Sequence, residues 1–403
     1  SVGVWFMNAK MTIPSDRIAA ANWVLQFSII TFVINLISVP YNAAIIAHEK
    51  MSAFAYISIL EAMAKLAIAF LIMASPIDKL IFYAILMCVV AIVIRLTYGH
   101  YCKKHFDECT YHFHWDKDIL KQMFGFAGWN FIGCSSAILR DQGVNVLLNI
   151  FYGPAVNAAR GIAVQVNTAI NGFVVNFTTA LNPQITKSYA SEDYNTMFTL
   201  IYKGARFSYY LLLILSLPIL FETHYVLDLW LKNVPEHTVI FVRLIIIFSM
   251  CESISVPLIT AMMATGRIRN YQIIVGGLQM LNFPLSYIAL SLGYMPETTI
   301  VIMIVVSLMC LAARLYMLKN MIMLNILNYV RKVLLNALTV SCIALILPVI
   351  LHNYMQEDFL SFIIQSVVCI ISSVFSVLLI GCSNQEREMV WNFIKKKIND
   401  KVR

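Results

Sequence analysis

Charge is what this chain has least of. Asp, Glu, Lys and Arg make up only 12% of its 403 residues, against 60% apolar residues, and the mean hydropathy is +0.77. A soluble globular protein carries charge on roughly a quarter of its residues, so an ordinary soluble domain is excluded. A paired cysteine framework is also missing. The nine cysteines (Cys88, Cys102, Cys109, Cys134, Cys251, Cys310, Cys342, Cys369 and Cys382) form no CxxC, and most lie in apolar runs, where a thiol packs as a small hydrophobe. That excludes a secreted disulfide scaffold and a dithiol redox enzyme. There is little room for a catalytic domain either. The longest polar loop, about residues 100–118, holds no convincing catalytic constellation, which argues against a membrane-embedded polymerase or transferase and against an enzyme.

What is present is a series of apolar runs of about 18 residues or more, the length that an α-helix needs to cross a bilayer. Eleven spans are expected, over 19–47, 53–74, 80–99, 119–150, 155–181, 199–221, 238–264, 270–292, 298–318, 333–352 and 359–381. The span 119–150 contains Arg140-Asp141-Gln142. Splitting it there would leave Gly143–Tyr152, about half a crossing, so one long helix is expected. Placing Lys and Arg in the loops puts nineteen on one side, four on the other and six within spans. A bias of that size predicts a cytoplasmic C-terminus, with residue 1 on the far side. The formal net charge of +8 is therefore loop charge facing the cytoplasm, not a nucleic-acid footprint. The run Lys395-Lys396-Lys397 reads as a tail segment on anionic lipid.

The chain also repeats itself. Ile37-Ser38-Val39-Pro40 returns as Ile254-Ser255-Val256-Pro257, 217 positions later, and Arg95-Leu96 returns as Arg314-Leu315, 219 positions later. Two anchors at nearly one spacing argue for a duplicated bundle, a common transporter plan. Three spans precede the second copy after the loop at 100–118. None precedes the first, and residue 119 maps to about 98 positions upstream of residue 1. The expectation is a fourteen-helix protein from which three N-terminal helices are absent here. On that plan, residues 1–99 are the remainder of the N-terminal bundle, 100–118 the inter-bundle loop and 119–318 the C-terminal bundle. Residues 319–382 are two additional helices and 383–403 a basic tail.

Several stretches carry a family likeness. They are Pro40-Tyr41-Asn42-Ala43 through Ala47-His48-Glu49-Lys50, Asp141-Gln142-Gly143-Val144-Asn145, Phe151-Tyr152-Gly153-Pro154-Ala155-Val156-Asn157 and Ala180-Leu181-Asn182-Pro183-Gln184-Ile185. With the helix plan, they resemble the multidrug/oligosaccharidyl-lipid/polysaccharide exporter superfamily, and within it the bacterial polysaccharide (O-antigen-type) flippase branch. There an acidic or Asn-bearing helix runs into a Gly turn, followed by a polar helix that ends in a Pro. The resemblance implies an all-α, MATE-like fold of two pseudo-symmetric six-helix bundles plus two C-terminal helices. It implies a monomeric transporter of the bacterial inner membrane. Such a protein would move undecaprenyl-diphosphate-linked oligosaccharide outward by alternating access, with no cofactor beyond coupling to sodium ions or protons. The drug-exporting branch implies the alternative, a cation-coupled multidrug or metabolite exporter.

An ionisable side chain deep in a span costs about 2.5–3.5 kcal/mol on insertion scales, so each needs a reason. Arg140 and Asp141 lie about ten residues inside their span. Arg140 suits a diphosphate, which a guanidinium fork matches in a bidentate way. Asp141, with Asn145 one turn on, offers oxygens to sodium or a proton carrier. A plain interhelical ion pair accounts for the same residues. In 155–181, Asn157, Arg160, Asn167, Asn171 and Thr178 share one helical stripe, and Gln165, Thr168, Asn176 and Thr179 the next. Lipid cannot satisfy that many amides, so this face meets water or other polar helices. Arg160, Asn157, Asn167 and Asn171 are thus candidate substrate contacts with Arg140. Glu252 stands mid-span with no basic residue at i±4, and is a candidate for proton coupling beside Asp141 and Asn145 or a hydrogen-bonded neutral acid. Glu61 and Lys65, spaced i, i+4, read as a structural ion pair. Arg95 and Arg314, in the last turns of their spans, are expected to snorkel to the surface. Pro40 and Pro257 each remove a helix hydrogen bond at matching points and suit hinges or fixed bends. Cys102-x2-His105-x3-Cys109-x2-His112 fits no standard zinc framework, and no metal is expected.

Overall fold

The computed structural model describes residues 18–75, 78–109, 116–231, 233–354 and 358–388, and among them the chain is helical throughout, with no strand. It divides into two compact units, residues 1–115 and 116–403. The tail lysines at 395–397, His112 and Lys232 lie outside the described residues.

The N-terminal unit holds α1 (Ile18–Ala47), α2 (Met51–Leu71) and α3 (Lys79–His105). Its core is a small cluster of Ile45, Ala53, Ile57, Ile94, Tyr98, Cys102 and Phe106. The turn after α1 is tied down by chemistry that only tertiary structure supplies. His48 stacks on Phe106 with ring centroids 4.2 Å apart and hydrogen-bonds Glu108, and the Cys102 thiol donates to the Tyr41 carbonyl at 3.4 Å.

The C-terminal unit begins with α4 (Lys117–Ala190), broken at Gly153 (φ 81°, ψ −177°) into halves α4a (117–152) and α4b (154–190). That backbone region is essentially reserved for glycine, and Pro154 then restarts the helix with its ring at a first-turn position. Next come α5 (Tyr194–Phe221), the short α6 (Thr223–Leu231), α7 (Thr238–Ala264), α8 (Arg269–Ser291), α9 (Thr298–Ile322), α10 (Ile326–His352) and α11 (Phe359–Gly381). Aspartates open four of the long helices. Asp78, Asp116, Asp193 and Asp358 each accept from a backbone N–H of the first turn, at 2.6 to 3.4 Å. α4 packs on α5, α7 and α8, and α10 and α11 pair with each other. Two apolar cores are stacked along the helices, one around Leu213, Leu217 and Phe241 and one around Ile201, Leu258 and Leu318. α4a and α8 approach closely because Gly276 faces Ser136 and Gly133. A Cβ at Gly276 would lie 3.1 Å from the Ser136 hydroxyl.

Nine of the described helices are long and apolar enough to cross a membrane. Their outward faces carry large apolar side chains such as Phe32, Leu96, Leu308 and Phe375, a surface suited to lipid. The chain is an all-α, multi-pass membrane protein. Both halves of α4 are long enough to cross as well, yet α4 is not among the nine: it is too polar.

Several expectations about the helices need correcting. α4b does not end at Pro183 but runs on to Ala190, with the proline in its interior. Pro40 and Pro257 do stand inside α1 and α7 at matching points, each seven residues before the helix end. Arg314 does not snorkel. It is 1% exposed and lies wholly inside the C-terminal unit. Arg95 packs its guanidinium 4.0 Å over the Tyr41 ring.

The two ends of the C-terminal unit differ in charge. Where α5 and α10 begin and α9 and α11 finish stand Lys203, Arg206, Lys319, Arg331, Lys332 and Arg387. The opposite end carries three histidine–carboxylate pairs, His224–Asp228 at 2.9 Å, His237–Glu297 at 2.6 Å and His352–Glu222 at 3.4 Å.

Candidate functional site

The break at Gly153 brings the charged residues of α4a and α4b together. Helix α4a continues unbroken through Arg140, Asp141 and Gln142. Arg140 holds its own neighbour, Nη2 to Asp141 Oδ2 at 3.2 Å and Nε to Oδ1 at 3.4 Å. From the far side of the break, Arg160 donates from Nη1 to Asn145 Oδ1 and places Nη2 4.0 Å from Asp141 Oδ1. Asn145 in turn donates to Gln142 Oε1 at 3.3 Å. Arg140 also lies 5.3 Å over the Phe248 ring of α7.

Two residues assigned to substrate and two assigned to ion coupling are therefore one cluster. Two guanidinium groups share one carboxylate, which leaves one positive charge uncompensated. Arg160 is buried, at 3% exposure, whereas the Asp141 side chain is 45% exposed. The Arg160 Nε and the Asn157 Oδ1 are buried without a hydrogen-bond partner among the described residues. Buried donors and acceptors in proteins are almost always paired, so these two mark a place where water or a ligand is expected. Asn167 and Asn171 lie on the same helix, about 10 and 16 Å further along at 1.5 Å per residue, and are half-buried. The adjacent stripe of Gln165, Thr168 and Asn176 is exposed. An exposed amide stripe cannot face hydrocarbon, so this side of α4b meets water or other polar helices.

Glu252 is not alone. It accepts a hydrogen bond from Ser307 of α9, and Arg314, about two turns further along α9, is within electrostatic reach. Tyr271 of α8 is within electrostatic reach of Arg314, whose Nε and Nη1 are buried without a hydrogen-bond partner among the described residues. Inspection at i±4 missed this pair because the cation is supplied by another helix. Pro257 packs toward Gly204 of α5, where a Cβ would lie 3.2 Å from the proline Cγ.

In the N-terminal unit, Lys65 Nζ and Glu61 Oε1 are 2.6 Å apart. The pair lines a polar cavity of about 200 Å³, opposite Thr31, Asn35, Ser38 and Asn42 of α1 and close to Tyr98. The sequence reading passed over those four α1 residues. Their spacing of four, three and four is the same helical-stripe signal that marked α4b. Cys102 and His105 hydrogen-bond backbone carbonyls, His105 stacks on Tyr101 and Cys109 packs against the core of that unit, and no metal-holding group of three is found among the described residues.

No protein-family model matches the chain, and no curated protein or solved structure matches it either.

Proposed function

We propose that the protein is a membrane transporter that carries an anionic amphiphile across the bilayer, and specifically a diphosphate-linked oligosaccharide lipid. The single observation that supports this reading most is the cluster at the α4 break. It has two arginines to one carboxylate, a buried guanidinium N–H without a partner and an exposed amide stripe continuing along the same helix. A guanidinium is the side chain best matched to a phosphate, and amides suit sugar hydroxyls. The α4 helix is too polar for lipid on that face, as a translocation path requires. The reading has the basic end of the C-terminal unit at the cytoplasm, movement outward by alternating access, and transport instead of bond chemistry. The resemblance to the polysaccharide-flippase branch points the same way. An Arg160→Ala variant should accumulate lipid-linked oligosaccharide on the inner leaflet. Normal surface polysaccharide in cells that express it at parental level would count decisively against the proposal.

One observation favours a second reading, a cation-coupled exporter of drugs or metabolites. Glu252 of α7 is half-buried, accepts from Ser307 of α9 and has the buried Arg314 within electrostatic reach, and an intramembrane carboxylate so placed suits exchange of a proton for a cation. Loss of dye efflux in Glu252→Gln with unaltered surface glycan would select this reading over the first.

A further inference from the structure

The end of the C-terminal unit where α5 and α10 start and α11 stops holds more positive charge than its surroundings balance. A cavity of about 390 Å³ opens there, lined by Lys203 and Arg206 of α5, Arg331, Lys332 and Asn336 of α10, and Glu386 just beyond α11. Glu386, the one carboxylate, is fully engaged. Its Oε1 takes Arg206 Nη2 at 2.8 Å and lies 3.7 Å from Lys203 Nζ, and its Oε2 takes the Ser383 N–H at 2.8 Å. Arg206 Nη1 is held by the Gly381 carbonyl at 2.9 Å, while Nε is buried without a partner. Arg331 and Lys332 are exposed, and among the described residues neither is within ion-pair distance of a carboxylate. Lys332 lies 5.7 Å over the Tyr202 ring.

The backbone is unusual at the same place. The chain has two π-helical stretches among the described residues, Val330–Leu335 and Val377–Gly381. The first carries Arg331 and Lys332, and the second ends on the carbonyl that holds Arg206. A π turn adds a residue to the helix and re-aims the side chains on it, and such turns are frequent at functional sites. The sequence that follows adds more positive charge than negative. Beyond Glu386, the sequence to residue 403 has six Lys and Arg against two acids.

We infer that this pocket binds a phosphate group, carried by an anionic lipid headgroup or free in solution. Arg331, Lys332 and Lys203 supply charge-assisted donors, and the ordered Arg206–Glu386 pair forms a rigid floor beneath them. Basic pockets between membrane helices at the headgroup level are suited to this chemistry. The site shares no residue with the α4 cluster and does not depend on what the protein transports.

The test uses the full chain purified in detergent. Its thermal midpoint is measured with phosphatidylglycerol, with phosphatidylcholine, and with phosphatidylcholine plus inorganic phosphate. Phosphatidylglycerol should raise the midpoint by a few degrees and phosphatidylcholine should not, since a ligand that binds only the folded state stabilises it. A comparable rise with inorganic phosphate identifies a free anion as the ligand; a rise with phosphatidylglycerol alone identifies the lipid. In Arg331→Gln/Lys332→Gln the rise should fall by half or more, and in Lys319→Gln, on α9 outside the pocket, it should persist. An undiminished rise in the double variant, equal rises with both lipids, or none with either phosphatidylglycerol or phosphate overturns the inference. Native mass spectrometry of the parent chain is independent of any variant. Preferential retention of phosphatidylglycerol or phosphate over phosphatidylcholine supports the site, and equal retention overturns it.

Discussion

Arg160 reaches back across the Gly153 break to Asn145, so that the first turns of α4b are fastened to α4a by a buried guanidinium. Asp141 completes the arrangement from a half-exposed position, 4.0 Å from the same group. The two partners should therefore differ sharply on substitution. Arg160→Ala removes a buried, charge-bearing donor and leaves Asn145 Oδ1 without it, a change of about 1–3 kcal/mol. Asp141→Asn keeps the shape and loses an ion pair open to solvent, which costs about 1 kcal/mol or less. Unfolding of both variants in detergent checks the order. Equal losses would show that Arg160 is not the fastening group.

Gly153→Ala tests the break itself. A Cβ there meets nothing within 4 Å, so any loss of stability comes from the backbone, whose φ of 81° disfavours every side chain. A cost of about 1–3 kcal/mol is expected. Because the same turn sets the distance from Arg160 to Asn145, transport should fall with it. Retained stability together with retained transport would mean that α4 needs no special turn at this point.

The sequence made the helices legible because hydropathy and length are properties of single segments. It also marked Arg140, Asp141, Asn145 and Arg160 as costly residues needing a reason, and gave the uninterrupted course of α4 through Asp141. What it could not give was pairing between segments. Arg160 and Asn145 are separated by a glycine turn whose geometry decides whether they meet. Glu252 looked solitary because Ser307 and Arg314 stand on a helix more than fifty residues away. Arg314 looked like a surface arginine from its place near a helix end, but that end is enclosed by Tyr271 and Tyr329, both buried. The π turns at 330–335 and 377–381 left no compositional trace at all, since both are written in ordinary apolar residues interrupted by Arg331 and Lys332.

The half-buried Glu252 and the buried Arg314 lie within electrostatic reach and should not be independent. Removing the cation alone, in Arg314→Met, leaves the half-buried Glu252 carboxylate with Ser307 as its partner, and a loss of about 1–3 kcal/mol is expected. Glu252→Gln in that background removes the stranded charge and should recover part of the loss. A double-mutant cycle in detergent measures the difference, and strict additivity would separate the two residues.

Glu386 gives the protein a pH-dependent fastening of the α11 terminus to α5. Burial alone would push its pKa up. The Ser383 N–H, the Arg206 guanidinium and Lys203 outweigh that and hold the carboxyl below its ordinary value of 4.5. A carboxylate with a lowered pKa in the folded state adds stability in full above its unfolded value, and loses it as pH falls through the folded value. Stability should therefore decline as pH is lowered from about 5 through the range below 4.5. Glu386→Gln should be less stable than the parent at neutral pH, and the gap should close under acid. Tryptophan fluorescence during urea titration at pH 7 and pH 4 is a direct measurement. A gap that stays constant between the two would show that the Arg206–Glu386 contact contributes through shape and not through charge.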